Sequence, residues 1–439
     1  MQAAGGGKGK TGMTEIKIGF LGMGNVGSGA YRILRDNAEV ITHREGMRYT
    51  VTAALVRNKN KSRGDIPGSI LTENPDDVLD NPEIDIVAEF LGGTEPARTY
   101  ILRALENGKT VVTANKVVLA NCWPELEAAA KAHGAGLYYE ASVAGGIPII
   151  RTLHCSMQAN RINKVMGIIN GTTNYILSAM TQEGKSYKEA LAEAQRTGLA
   201  EPDPTLDVEG LDAAYKLSLL ASIAFHSKVP VGMVYHEGIT AVTKQDIAVG
   251  KELGLTLKLL AIGKKGQDGI EVRVHPTFIP DGHPLSSISG ATNAVYLDCD
   301  ALGELVLSGQ GAGSLPTGSA VVSDIIYASK QKEHSYCTFR NSDDVPREGF
   351  NNNWESEYFV SIWAPDKPGL LATVAGIFAS CDISIASMIQ KRERAEGDRV
   401  PVIFLTHRCR EQSMKKAIEG ISAVDGLSLG GMIRVEAMR

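Results

Sequence analysis

Asp212 and Lys216 stand four residues apart in Leu211–Phe225, a stretch without Gly or Pro that reads as one helix. At that spacing the two side chains share a helix face. That face continues through Leu219 and Ile223, and the rows Ala213/Leu217/Leu220/Ala224 and Ala214/Ala221/Phe225 are apolar as well. The helix is therefore predicted to be buried, with the charged pair pointing inward. On a solvated helix such a pair would be decoration worth tenths of a kcal/mol. Among apolar neighbours, burial favours a neutral amine while a nearby carboxylate favours the ammonium, a balance suited to a proton donor. Just upstream, Glu201, Asp203 and Asp207 lie in a loop stiffened by Pro202 and Pro204. Carboxylates held in this way suit a substrate that carries an ammonium group.

The elements that must position these groups begin with Ile16–Leu21, a short apolar strand. It runs into Gly22-Met23-Gly24-Asn25-Val26-Gly27, and then Ala30, Ile33 and Leu34 follow at helical spacing. Strand, glycine turn and helix in this order allow close backbone approach and offer helix N–H groups to a pyrophosphate. The next strand, Tyr49–Val56, ends at Arg57, where a strict NAD enzyme carries an acid for the ribose 2′-OH. Arginine suits a 2′-phosphate, so NADPH is expected, with NADH also accepted. Lys59 and Lys61 either add to this positive charge or belong to a solvated loop. Ile84–Phe90 and Thr110–Thr113, separated by a helical stretch around Pro96–Asn107, continue the alternation of a doubly wound parallel sheet. Ligands gather at the carboxyl ends of such strands. Here those ends carry Leu91-Gly92-Gly93-Thr94 and Ala114-Asn115-Lys116.

Leu137–Pro148 (LYYEASVAGGIP) reads as a strand followed by small residues that let carbonyls turn inward. With Glu140 these carbonyls suit a hard monovalent cation; equally, the segment is a glycine-rich turn with no ion. Val165–Ile169 runs into Asn170-Gly171-Thr172-Thr173-Asn174, a polar turn after a strand, and residues 230–300 mix short strands with helical stretches. A second glycine turn, Gly309–Gly313, precedes a helix at Ser319–Ser329 that is expected to return to the nucleotide domain. A polar stretch, Gln331–Glu357, reads as a linker. Beyond it the order is strand (Tyr358–Trp363), helix (Leu370–Ser380), strands (Ile383–Gln390 and Pro401–Thr406), helix (Gln412–Ser422) and strand (Met432–Ala437). That is βαββαβ. The predicted fold is α/β. It comprises a leader (1–13), a Rossmann-like domain (14–136, completed by 305–330), an α+β substrate and oligomerisation domain (137–304), the linker (331–355) and a ferredoxin-like module (356–439).

A chain of 439 residues with 43% apolar residues and a net charge of −5 implies a soluble protein of two or three domains. It has no basic stripe for a phosphate backbone, so nucleic acid is not an expected partner. Cysteines at 122, 155, 299, 337, 381 and 409 form no C-x-x-C pair, which suits a reducing compartment. No apolar run reaches membrane-spanning length, and Met1–Gly12 lacks the apolar core of a signal peptide, so the cytoplasm is the expected location.

The run from Ala194 through Gly198-Leu199, Asp203-Pro204, Asp207-Val208, Gly210 and Asp212 to Lys216 resembles the signature of homoserine dehydrogenases at every fixed position. The resemblance implies an NAD(P)(H)-dependent interconversion of L-homoserine and L-aspartate 4-semialdehyde, in threonine, methionine and isoleucine biosynthesis. Lys216 is then the proton donor, and Asp212 is catalytic or substrate-binding. Glu201 and Asp207 lie on the substrate with Gly171 and Thr172, and Lys116 contacts both cofactor and substrate. The resemblance also assigns Gly22, Gly24, Asn25, Val26, Gly27, Arg57, Gly92, Thr94 and Gly313 to the cofactor. It places a sodium ion on Glu140 and the backbones of Val143, Gly145 and Ile147.

The last 80-odd residues resemble an ACT domain, with Asp366-Lys367-Pro368-Gly369-Leu370 as its turn into the first helix. The family implies feedback inhibition by L-threonine through this domain and a homo-oligomer, dimer or tetramer. A chain ending near Lys332 is expected to stay active and lose inhibition. Two rivals remain: a phosphorylating semialdehyde dehydrogenase, which needs an activated cysteine, and a non-enzymatic amino-acid sensor with a vestigial Rossmann domain.

Overall fold

The computed structural model describes residues 13–334, 349–390 and 399–436. The expected leader up to residue 12, the middle of the expected linker (335–348) and Ala437 lie outside them. The chain forms two compact units, one running to Gly146 and resuming at Ala312, the other taking the remainder.

The first unit is a parallel six-stranded sheet built from β1 (Thr14–Leu21), β2 (Met47–Leu55), β3 (Leu71–Thr72), β4 (Ile86–Glu89), β5 (Thr110–Thr113) and β6 (Leu137–Tyr138). Its order, β3-β2-β1-β4-β5-β6, reverses direction beside β1, as in dinucleotide-binding folds. Ile18, Phe20, Val87, Ala88, Val111 and Val112 are buried along strands that have helices to cover them, which is why they read as continuous apolar runs. The helix Asn25–Asp36 crosses the returning helix Ser314–Ser329 at two glycines. A Cβ on Gly29 would lie 2.1 Å from the Ser314 carbonyl oxygen, and one on Gly318 would lie 2.6 Å from Ala30 N. Only residues without a side chain permit that approach. Two segments differ from the sequence reading. Leu137–Tyr138 closes this sheet through pairing with β5 instead of opening the substrate domain. Residues 305–310 belong to a strand of the other unit, because Leu305 to Gln310 pair with Leu297 to Thr292.

The second unit has one large sheet made of β7 (Ile162–Ile168), β8 (Tyr235–His236), β9 (Leu255–Gly266), β10 (Gly269–Pro280), β11 (Thr292–Cys299), β12 (Gly303–Gln310), β13 (Glu355–Pro365), β14 (Ile385–Gln390), β15 (Arg399–Thr406), β16 (Cys409–Arg410) and β17 (Ser428–Val435). Its main path is β12-β11-β7-β9-β10-β17-β13-β15-β14. The C-terminal module, with its helices Leu370–Ser380 and Glu411–Ser422, is therefore not hung on a linker alone. Its last strand pairs in parallel with β10, Thr277 to Arg434 and Phe278 to Val435, and Glu436 N donates to the Phe278 carbonyl at 2.9 Å. Phe278 and Phe359 pack across this seam with ring centroids 5.1 Å apart.

Buried charges line the same seam. Arg434, 1% exposed, pairs with Glu411 of the module at 2.6 Å and with Glu237 of the substrate domain at 2.5 Å. Glu436 pairs with Lys264 at 2.6 Å, Arg273 at 3.2 Å and Lys164 at 3.4 Å. A chain cut near Lys332 would strip all of these partners from the substrate domain, so truncation is not a clean test of regulation. Among the described residues, no helix is long and apolar enough to cross a membrane.

Candidate active site

In the second unit the helix Leu211–Phe225 is buried at every residue except Leu211, Tyr215 and Lys216. It starts at Gly210, whose φ of 81° lies in the left-handed region. The pair that the sequence placed inward is formed: Lys216 Nζ donates to Asp212 Oδ2 at 2.8 Å and to the Ile169 carbonyl at 2.8 Å. An ammonium has three protons. Two are committed to these acceptors, which aims the third.

Asn170 organises the carboxylates. Its Nδ2 donates to Asp207 Oδ1 at 2.7 Å and to Asp212 Oδ2 at 2.8 Å, while its Oδ1 accepts from Thr173 N at 2.9 Å and caps the helix Gly171–Glu183. Gly171 faces the Ala291 carbonyl, from which an added Cβ would stand 3.0 Å. Thr172 is buried and donates to the Leu199 carbonyl at 3.2 Å. Glu201 is exposed, and Gln195 Nε2 fixes its backbone carbonyl and that of Pro202, each at 3.2 Å. Asp203 Oδ1 accepts from Thr205 N at 3.1 Å and from the Thr205 hydroxyl at 2.6 Å, a local turn that leads into a short helix. Those bonds hold its carboxyl below the usual range.

In the first unit the glycine turn has the shape that a pyrophosphate requires. A Cβ on Gly27 would lie 2.7 Å from the Gly22 carbonyl oxygen, whereas one on Gly24 would meet nothing within 4 Å. Gly24 caps the helix that begins at Asn25 and Val26, with no side chain taking the first N–H groups. These open donors fit an anionic ligand. Arg57 is exposed just beyond β2. Gly92 (φ 76°) turns the loop after β4, and the Thr94 hydroxyl accepts from Asn121 Nδ2 at 2.9 Å. Lys116 is the first residue of the helix Lys116–Ala132, and Gly313 (φ 117°) precedes the helix Ser314–Ser329.

Among the described residues no three His, Cys, Asp or Glu side chains gather to hold a metal ion. The expected cation site rests on main-chain carbonyls instead. Glu140 is buried, and Ala144 and Gly145 both take φ of 56°, a conformation costly for alanine that turns successive carbonyls. This geometry fits a hard ion at Glu140, Val143 and Gly145, and Ile147 opens the other unit. The thiol rival fares poorly: burial pushes the Cys122 and Cys299 thiols up, and that of Cys409 up to about 11. None of these three is an activated nucleophile.

Residues 22–140 match a family model described as the homoserine dehydrogenase NAD-binding domain, and residues 148–326 match one described as homoserine dehydrogenase. Residues 358–424 match the ACT domain. A homoserine dehydrogenase of Pseudomonas aeruginosa is 40% identical over 435 residues, covering 96% of this chain and 99% of that protein. The chain belongs to the homoserine dehydrogenase family. A crystal structure of a homoserine dehydrogenase from Thiobacillus denitrificans superposes with a TM-score of 0.90 at 42% identity, covering 97% of this chain and 99% of that one. A hyperthermophilic archaeal homoserine dehydrogenase in complex with NADPH superposes at 0.60 with 27% identity over 73% of this chain.

Two residues of this chain have roles that no local sequence signal gives. Asn170 was legible as a helix cap, an Asn before Gly-Thr-Thr, but its bonds to Asp207 and Asp212 span 37 and 42 residues and have no local signal. Glu89 ends an apolar strand and gave no sign of being fully buried.

Proposed function

We propose that this chain reduces L-aspartate 4-semialdehyde to L-homoserine, reversibly, with NADPH or NADH. The observation that carries the reading is the Lys216–Asp212 pair in its buried setting, tied through Asn170 to Asp207. The nicotinamide, when bound, supplies the hydride to the aldehyde carbon. As that bond forms, negative charge develops on the aldehyde oxygen. Lys216 delivers its unshared proton there, with Lys116 as a second cation for the same oxygen. Asp212 orients Lys216 by accepting its hydrogen bond, and Glu201 and Asp207 bind the substrate's ammonium group. Gly171 and Thr172 shape the wall beside it.

Gly22, Gly24, Asn25, Val26, Gly27, Gly92, Thr94 and Gly313 line the cofactor in this reading. Exposed Arg57 takes the 2′-phosphate, a choice supported by the NADPH-bound archaeal relative. A sodium ion on Glu140 and the carbonyls of Val143, Gly145 and Ile147 has a structural role. L-Threonine acts as a feedback inhibitor through the ACT module, and the enzyme is a cytoplasmic homo-oligomer of threonine, methionine and isoleucine biosynthesis. The test is NADPH oxidation by the purified full chain with L-aspartate 4-semialdehyde. Formation of L-homoserine in equal amount to NADPH consumed is the expected result. Absence of NADPH oxidation, or instead reduction of NADP+ by the semialdehyde only with phosphate and with a trapped thioester, refutes the proposal.

A further inference from the structure

The nucleotide-binding unit contains a buried acid that the reaction as written does not use. Glu89 is the last residue of β4 and has no exposed surface. Leu91 N donates to its Oε1 at 2.6 Å, the Thr113 hydroxyl donates to its Oε2 at 2.6 Å, and Asn115 Nδ2 reaches Oε1 at 3.4 Å. Asn115 extends this arrangement. Its backbone N–H donates to the Thr113 hydroxyl at 3.0 Å, and its Nδ2 donates to the Gly93 carbonyl at 2.8 Å. Its Oδ1 accepts from Val117 N at 3.1 Å and Val118 N at 3.2 Å, capping the helix that begins at Lys116.

The carboxyl group therefore holds two loops at once. One loop follows β4 and contains Gly92 and Thr94; the other follows β5 and leads into Lys116. No ion pair reaches Glu89 among the described residues, and burial raises its pKa above the ordinary carboxyl value. An acid without a cation in a dry site is costly. An apolar side chain would avoid that cost but would leave Leu91 N and the Thr113 hydroxyl without their acceptor.

We propose that Glu89 is a positioning residue: by clamping residues 91–93 to 113–115 it fixes the backbone from which Lys116 projects. The inference rests on the role given to Lys116 above. Glu89 touches neither reactant in this account; its effect on kcat passes through Lys116, whereas slackening of the loop that carries Gly92 and Thr94 would raise the KM for NADPH in both backgrounds.

That dependence makes the proposal testable by a double-mutant cycle on the full chain. Turnover would be measured for wild type, Glu89→Ala, Glu89→Gln, Lys116→Ala and each Glu89 variant combined with Lys116→Ala. Displacing a reacting group by about 1 Å costs about 10²-fold, so Glu89→Ala is expected to lower kcat by roughly 10- to 100-fold when Lys116 is present. In the Lys116→Ala background the same change should cost less than about threefold, because the group it positions is gone. Glu89→Gln keeps the shape and one acceptor oxygen, and it should recover about tenfold over Glu89→Ala. If the alanine variant does not fold, the glutamine variant carries the cycle, and its smaller loss must likewise vanish with Lys116→Ala. Equal losses in both backgrounds, or no loss in either variant, overturn the proposal. A wild-type chain that fails to reduce the semialdehyde refutes the proposed function itself, a result distinct from an active chain with additive losses.

Discussion

Replacing Glu436 by Gln removes one charge from the seam between the C-terminal module and the substrate domain while keeping nearly the same shape. Burial opposes ionisation of Glu436, but Lys264, Arg273 and Lys164 outweigh it and hold the carboxyl down to about 2. Against the ordinary value of 4.5, that displacement corresponds to roughly 3 kcal/mol of native-state stabilisation. Breaking a buried pair from one side gives a similar estimate, about 3–5 kcal/mol, because the stranded partners keep their desolvation cost. The partners here are stranded indeed: Arg273 has no exposed surface, and its next carboxylate, Glu271, lies 3.6 Å away.

Typical domains are stable by about 5–15 kcal/mol, so the loss should be plain in urea denaturation followed by tryptophan fluorescence, since Trp354 stacks near Arg273 at the seam. The sign with pH is also set. A carboxyl with a depressed folded pKa stabilises above its unfolded value and loses that contribution as pH falls toward about 2. The gap between wild type and Glu436→Gln should therefore be full above about pH 4.5 and should close below it. A gap under about 1 kcal/mol at neutral pH, or one that stays constant down to acid pH, would refute this account of the seam.

Lys216→Ala should bind NADPH nearly as wild type and lose roughly 10²–10⁴-fold in kcat, the range for a missing general acid; turnover within a few-fold of wild type would remove Lys216 from that role. Arg57→Ala should raise the KM for NADPH by about tenfold or more and leave that for NADH almost unchanged, since each charged contact is worth about 1.5–3 kcal/mol; equal effects on both would show that Arg57 does not meet the 2′-phosphate. L-Threonine should slow the full chain, and Asp366→Ala, at the exposed turn into the module's first helix, should weaken that inhibition with little effect on the uninhibited rate. Unaltered sensitivity in that variant would move the inhibitor site elsewhere.

The parts of this molecule that sequence made legible are those governed by local rules. The inward-facing Asp212 and Lys216 followed from apolar residues at helical spacing, and the nucleotide turn from glycines between a strand and a helix. The βαββαβ order of the module followed from alternating apolar runs. What stayed hidden depends on pairings between distant segments. Arg434 and Glu436 look like ordinary charges near a chain end, and only the register of β17 on β10 brings them beside Glu237 and Arg273. Glu89 and Asn170 each became informative only when strands from different parts of the chain converged on them.

The crossing of Gly29 with Ser314 and of Gly318 with Ala30 has a consequence for the order in which the protein can be made. The helix Asn25–Asp36 leaves the ribosome early, yet the helix that covers it arrives about 280 residues later. At translation rates of about 5–20 residues per second, the nascent nucleotide unit waits roughly 15–60 s with the apolar face around Ala30 and Leu34 uncovered. Throughout that interval the chain has synthesised residues 147–311 of the second unit but not the helix that finishes the first. An arrested nascent chain ending before Ala312 would thus be a candidate for chaperone capture rather than for cofactor binding, and the first-made unit would close only when the helix Ser314–Ser329 has emerged, with the C-terminal module still to follow.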